Sequence, residues 1–155
     1  MTLTEKQQSL IRDLQDQEQM CIQKYDKYAE QAKDPELKRL FGILRDEEQE
    51  HYDSLEQCLS GNCPDTPCKT SMSANYNPVA TYTGSYNDAD KTHDEFLCTD
   101  CISTEKYVSG EYNCDLFQFG DEKMRNLFNH IQTEEQNHAE MIYKYKVANN
   151  MAQAC

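Results

Sequence analysis

The stretch Glu47-Glu48-Gln49-Glu50-His51 returns almost unchanged as Glu134-Glu135-Gln136-Asn137-His138, 87 residues further along the chain. The same shift, without a gap, lays Glu18 on Glu105, Tyr25 on Tyr112, Asp34 on Asp121 and Leu40-Phe41 on Leu127-Phe128. One displacement that matches so many residue types marks an internal repeat. The chain therefore reads as two copies of a pair of elements, and each copy holds one Glu and one Glu-x-x-His.

The residues around the first motif have helical periodicity. Asp34-Pro35 supplies an N-cap followed by Pro at the first helical position, and a helix is expected from there to about Leu59. Its inner face reads Leu37, Phe41, Leu44, Glu48, His51, Leu55 and Cys58, spaced alternately four and three. That is the seam of a helical bundle. It puts Glu48 and His51 inside and turns Glu47 and Glu50 away by about 100° or more. The preceding helix, expected from about Thr4 to Ala32, carries Leu14, Cys21, Tyr25, Tyr28 and Ala32 on one stripe, with Glu18 on the same stripe. A carboxylate on a buried face is costly unless it is paired or bound to a cation.

In the second copy, a helix is expected from Thr92 or Asp94 to Phe119, with Cys98, Cys101, Glu105, Val108 and Tyr112 on one face. Gly120-Asp121 then ends one helix and caps the next. The last helix presents Met124, Phe128, Ile131, Glu135, His138, Ile142 and Tyr145, and runs to about Asn150. Between the copies, Ser60 to Asp90 loses all periodicity and is rich in Gly, Pro, Ser, Thr and Asn. Extended, it spans roughly 100 Å, against ~36 Å for a 24-residue helix, enough to return the chain to the opposite end. The fold class expected is all-α, an antiparallel four-helix ferritin-like bundle with a long crossover between the second and third long helices. It is read as a single domain over 1–155, with helical pairs at 4–59 and 92–150 and the crossover at 60–91.

With 28 acidic and 15 basic residues the net charge is −13, which argues against nucleic acid or an anionic membrane as partner. No apolar run approaches a membrane span, and the N-terminus has neither the basic nor the apolar region of a signal peptide. Synthesis in the cytoplasm is the expectation.

Four seam positions at matching depth hold Glu18, Glu48, Glu105 and Glu135, with His51 and His138 one turn from two of them. One Glu from each of two helices, plus Glu-x-x-His from each of the other two, is the arrangement that holds two metal ions in ferritin-like bundles. At i and i+3 a carboxylate and an imidazole share a face and can reach one ion. Four carboxylates in a core would repel and protonate unless cations balanced them. Mixed oxygen and imidazole ligands suit iron or manganese, with zinc as an adventitious occupant. A single Glu-x-x-His on a Glu-rich helix is common by chance; two in register, each with a Glu thirty residues upstream, are not. A site inherited but no longer filled stays open. Tyr25 and Tyr112 read equally well as core aromatics or as groups that orient a ligand. His93 and His130, off the pattern, are expected at the surface.

Eight cysteines are many for a reducing compartment. Cys21, Cys98 and Cys101 are expected to point inward on one side of the metal level, as thiols that pair or simply pack. Cys58, Cys63, Cys68 and Cys155 are expected to be exposed and suited to cross-linking between molecules, by self-association or to other proteins, helped by Tyr76, Tyr82 and Tyr86.

These motifs resemble those of rubrerythrin-type members of the ferritin-like superfamily. More closely, Thr104-Glu105-Lys106-Tyr107-Val108, Tyr112-Asn113 and Ile131-Gln132-Thr133-Glu134-Glu135-Gln136-Asn137-His138 resemble the spore coat protein F family. That resemblance implies a component of the endospore coat with other coat proteins as partners. The rubrerythrin resemblance implies instead a di-iron peroxidase or ferroxidase; the residues here after Asn150 are not expected to form an iron-sulfur domain, so turnover is expected to require an outside reductant.

Overall fold

In the computed structural model, which describes residues 2–66 and 72–154, the chain is all-helical, with no strand among the described residues. Five α-helices follow one another: α1 (Glu5–Gln31), α2 (Pro35–Leu59), α3 (Met72–Asn75), α4 (Asp88–Asp115) and α5 (Glu122–Ala148), with a 3-10 turn at Leu116–Gln118 after α4. No helix among the described residues is long and apolar enough to cross a membrane.

Each long helix begins where a polar side chain takes up its free backbone donors. Thr4 and Gln7 form a capping box on α1. Asp34 accepts from the Glu36 N–H at 3.0 Å and its repeat mate Asp121 from the Met124 N–H at 3.0 Å. Asn87 caps α4 through the Ala89 N–H at 2.9 Å, with Asp88 and Asp90 in the first turn. That cap starts the helix at Asp88, earlier than the Thr92 or Asp94 expected from periodicity. Apolar spacing does not register a polar first turn.

The side-chain contacts fix the directions of the long helices. Gln15 meets Glu56 and Asp26 meets Arg45, so α1 and α2 are antiparallel. Ser109 meets Gln132 and Lys146 meets Thr99, so α4 and α5 are antiparallel as well. Lys6 with Gln118 and Lys24 with Thr104 set α1 antiparallel to α4. It follows that α2 and α4 run the same way, as the crossover length implied.

The described residues of the crossover are anchored along α5: Asp65 pairs with Lys123 at 2.8 Å, Ser73 Oγ bonds Asn137 Oδ1 at 3.2 Å, and the Thr81 and Tyr82 N–H groups each donate to Asn149 Oδ1 at 2.9 Å. Tyr76, whose hydroxyl reaches Glu36 at 3.2 Å, is buried, and Tyr82 is half-buried with its hydroxyl 2.5 Å from Asp94 Oδ2. Of the three tyrosines expected to help cross-linking, only Tyr86 is exposed. The other two are held by carboxylates of the helices.

Two hydrophobic clusters make the core. One gathers Ile11, Leu14, Leu55, Tyr112, Phe128 and Ile131, and the other Leu37, Leu40, Phe41, Leu44, Leu97 and Ile142. Cys21 falls in the first cluster and Cys98 and Cys101 in the second. This corrects the expectation that the three thiols share one side. Cys21 sits one turn past Glu18, at the depth of the glutamates themselves, and α4 packs against α1 with Cys98 and Cys101 nearer the Tyr28 end. Cys58 and Cys63 are buried rather than exposed, because the seam of α2 runs past Leu55 to its last turn. Cys68 and Cys155 lie outside the described residues, and Cys114 is exposed.

The joint between α1 and α2 is tied down by a carboxylate from α4. Fully buried Asp94 accepts from the Lys33 N–H at 2.8 Å, the Asp34 N–H at 2.9 Å and the Tyr82 hydroxyl. Hydrogen bonds to a charged group contribute more than neutral ones, and their loss leaves buried donors unpaired. Asp94→Ala is expected to lower the free energy of unfolding by about 3 kcal/mol and Tyr82→Phe by about 1 kcal/mol, measured by urea denaturation. Equal effects would show that Asp94 does not organise the joint.

Candidate metal centre

Between the two hydrophobic clusters lies a polar layer built from the seam positions of all four long helices. Glu18, Glu48, His51, Glu105, Glu135 and His138 are all buried, none more than 3% exposed. A helix places residues three and four apart on one face. The seams of α1, α2, α4 and α5 therefore deliver these six side chains to one depth.

They fall into two overlapping groups. Glu18, Glu48, His51 and Glu135 form one, and Glu48, Glu105, Glu135 and His138 the other; within each, one ligand atom per residue lies within 4.8 Å of the rest. Glu48 and Glu135 belong to both groups. His51 Nδ1 is 3.1 Å from Glu48, 2.9 Å from Glu135 and 3.7 Å from Glu18. His138 Nδ1 is 3.3 Å from Glu48 and 3.5 Å from Glu105. The two imidazoles stack with centroids 5.6 Å apart and planes inclined by 15°.

The tyrosines that the repeat paired close the layer. The Tyr25 hydroxyl donates to Glu105 Oε1, and the Tyr112 hydroxyl to Glu18 Oε1. Both are buried aromatics of the hydrophobic clusters, and each also reaches a carboxylate. Each tyrosine orients a glutamate belonging to the other copy of the repeat.

Several polar atoms in the layer are buried without a hydrogen bond inside the protein: Glu18 Oε2, Glu48 Oε1, Glu105 Oε2, both Glu135 oxygens and both His138 nitrogens. Such atoms are rare in native proteins and call for an explanation. The donor set fits metal: carboxylate oxygens and imidazole nitrogens, converging, with their outer atoms held by tyrosine hydroxyls.

Protonation without metal follows from the same crowding. Burial pushes Glu18 up to about 7, against the opposing hydrogen bond of His51. Burial and the charges of Glu48, Glu105 and Glu18 raise Glu135 well above the carboxylate range. Glu48 goes the other way: burial favours its neutral form, but His138 and His51 outweigh it and hold it well below the usual value. Burial opposes charging of the two histidines, and the carboxylates overcome it. Glu134, Glu135, Glu18 and Glu48 raise His51 well above its ordinary value, and Glu105 and Glu48 raise His138 to about 10.

One participant was not anticipated. Glu134 is buried, with Oε2 2.9 Å from His51 Nε2 and 3.2 Å from His130 Nε2. His130 and His93, both expected at the surface, are each half-buried, His130 against Glu134 and His93 with its ring nitrogen 3.2 Å from Gln31 O. Glu50 is exposed as expected, but Glu47, expected to face solvent, is half-buried. The signal available was the doubled Glu in both copies. A residue next to a seam position lies on its flank, where an adjacent helix can cover it.

In the metal-free protein the shifts set the sign of the pH dependence. The folded state retains the Glu18 proton that the unfolded chain releases near 4.5, so this contribution is lost as pH rises from there through about 7. The contribution of His138 is complete below 6.5 and is lost as pH rises through about 10. Glu48, with its pKa depressed, contributes above 4.5 and loses that contribution in acid. The melting temperature of metal-free protein is therefore expected to fall between about pH 5 and 9, and saturating divalent metal, which binds the deprotonated ligands, should oppose that fall. A metal-free protein that grows more stable across this range would contradict the arrangement of charges.

Residues 93–154, most of α4 and all of α5, match the family model of the Coat F domain. No curated protein and no solved structure matches the chain. The matched segment carries Glu105, Glu135 and His138 together with the two residues, Tyr112 and Glu134, that hold Glu18 and His51 from outside their own copy. Over these residues, which are less than half of the chain, the sequence is similar to the spore coat protein F family.

Proposed function

We propose that this protein is a component of the endospore coat whose long helices form a ferritin-like four-helix bundle around two divalent metal ions. One observation carries the metal assignment: six buried side chains from four helices meet in two groups that share Glu48 and Glu135. In this reading Glu48 and Glu135, common to both groups, would be the residues that serve both ions. Glu18 with His51, and Glu105 with His138, complete one ion each, while Tyr25 and Tyr112 fix the outer carboxylate oxygens. Iron or manganese suits the donors best, with zinc as an adventitious occupant. The Coat F domain supports association with other coat proteins.

Sharing makes a graded prediction. Wild-type protein refolded with ferrous iron or manganese and desalted should hold two ions per chain by elemental analysis. Glu18→Gln and Glu105→Gln should each keep about one ion, whereas Glu48→Gln and Glu135→Gln should fall well below one, because each removes a ligand from both groups. Wild-type protein that takes up no metal would defeat the proposal.

A second reading, a di-iron oxidoreductase acting on peroxide or oxygen, draws on a separate feature. A cavity of about 60 Å³ between α2, the start of the crossover and α5 is lined by His51, Ser54, Pro64, His130 and Glu134. That is room for a molecule of the size of water or peroxide beside the site. Bound iron would supply the electrons, and the protein's own part is to admit the oxidant past His130 and exclude larger molecules. Ferrous-loaded protein should then be oxidised by stoichiometric hydrogen peroxide faster than iron in buffer, and His130→Trp, which fills the cavity, should slow the reaction about tenfold or more. Equal rates with and without protein would leave the coat role standing alone.

A further inference from the structure

The end of α2 carries a pair of thiols that the metal reading does not use. The helix closes with the Gly61 N–H bonded to Cys58 O at 3.0 Å and the Asn62 N–H to Gln57 O at 2.9 Å. Gly61 takes a left-handed conformation, φ 86°, which a residue with a side chain adopts at a cost. This reversal folds Cys63 back over its own helix. Cys58, wholly buried, and Cys63, 9% exposed, enter the same hydrophobic cluster, with their thiols within hydrogen-bonding reach of each other.

Their surroundings point to redox chemistry and away from metal. Among the described residues, groups of three or more His, Cys, Asp or Glu able to hold an ion occur only in the carboxylate layer, and none of those residues gives the two thiols the further ligands a zinc site needs. Both thiols are free. Cys63 is also the reachable one: it lines a cavity of about 350 Å³ with Gly61, Asn62, Asp121 and Lys123. The hydrogen bond with Cys58 outweighs burial and, with the charge of Lys123, lowers the Cys63 thiol, whereas the same bond and burial raise Cys58. A more easily ionised thiol at a cavity, with a second thiol held protonated against it, is the pairing that distinguishes an attacking from a resolving cysteine.

We propose that Cys58 and Cys63 form a redox-active dithiol that hydroperoxides oxidise to an intramolecular disulfide. The Cys63 thiolate attacks a peroxide oxygen, the O–O bond breaks, and the hydroxide released takes a proton and leaves as water, so that Cys63 becomes a sulfenic acid. Cys58 sulfur then attacks Cys63 sulfur and expels hydroxide, which leaves as water with the Cys58 proton. Two electrons pass from the two sulfurs to the peroxide. The step involves no metal.

The test uses the whole protein, metal-free, so that its outcome is independent of the metal centre. After one equivalent of hydrogen peroxide, free thiols are alkylated and the chain is cleaved on the amino side of aspartate. The peptide 53–64 contains Cys58 and Cys63 and no other cysteine. It should be lighter than its reduced form by the mass of two hydrogens and carry no alkyl group. Cys58→Ala should stop at a Cys63 sulfenic acid that dimedone captures, and Cys63→Ser should abolish the bridge. Peptide 53–64 doubly alkylated after peroxide has been consumed, or joined to a cysteine of another peptide or another chain, would overturn the proposal.

Discussion

Four carboxylates in one buried layer are the constraint on which the rest of the structure depends. Burying an ionised group without compensation costs far more than a whole domain's stability. The layer is therefore surrounded by everything that reduces the cost: two imidazoles inside it, two tyrosine hydroxyls on its outer oxygens, and a hydrophobic cluster above and below that keeps the helices in register. Register at this depth has to be maintained from the ends. That is the work of Asp94 and Asp34 at the α1–α2 joint, where the Tyr145 hydroxyl also reaches Asp34 at 2.6 Å, and of Asn149, which holds the crossover to the end of α5.

Much of this was legible in the sequence, for reasons that can be named. The seams were readable because apolar spacing and burial have the same periodicity, and Glu18, Glu48, Glu105 and Glu135 stood out as charges in apolar positions. The repeat added Glu18 and Glu105, which the Glu-x-x-His motifs alone do not imply. Tyr25 and Tyr112 were found but not understood, since spacing places a side chain on a face without saying which neighbour it meets. Glu134 was not singled out, and His130 was read as a surface residue. Their burial depends on how α2 and α5 lie against each other, and no single-helix pattern encodes that. The course of the crossover was hidden for a similar cause: its anchors, Asp65, Ser73, Thr81 and Tyr82, are ordinary polar residues until Lys123, Asn137 and Asn149 are beside them.

The repeat is also imperfect in a way that bears on chemistry. The shift of 87 residues that relates Glu48 to Glu135 relates Glu134 to Glu47 and His130 to Ile43. Only His51 therefore has a buried carboxylate on its outer nitrogen and a second histidine behind that carboxylate. The outer nitrogen of His138 makes no hydrogen bond inside the protein. A carboxylate behind an imidazole makes it a stronger electron donor, so two halves that began alike now present unequal environments at His51 and His138.

The crossed tyrosines have a consequence for what counts as a unit. Tyr25 leaves the first hairpin to hold Glu105 of the second, and Tyr112 returns the contact to Glu18. Neither hairpin is self-sufficient: each carries half of the polar layer and the lock for the other half. The molecule is in effect a dimer whose two subunits share one covalent chain. Cut from its mate, the α4–α5 hairpin would expose glutamates it cannot neutralise alone, and would have to recover the missing half from a second molecule.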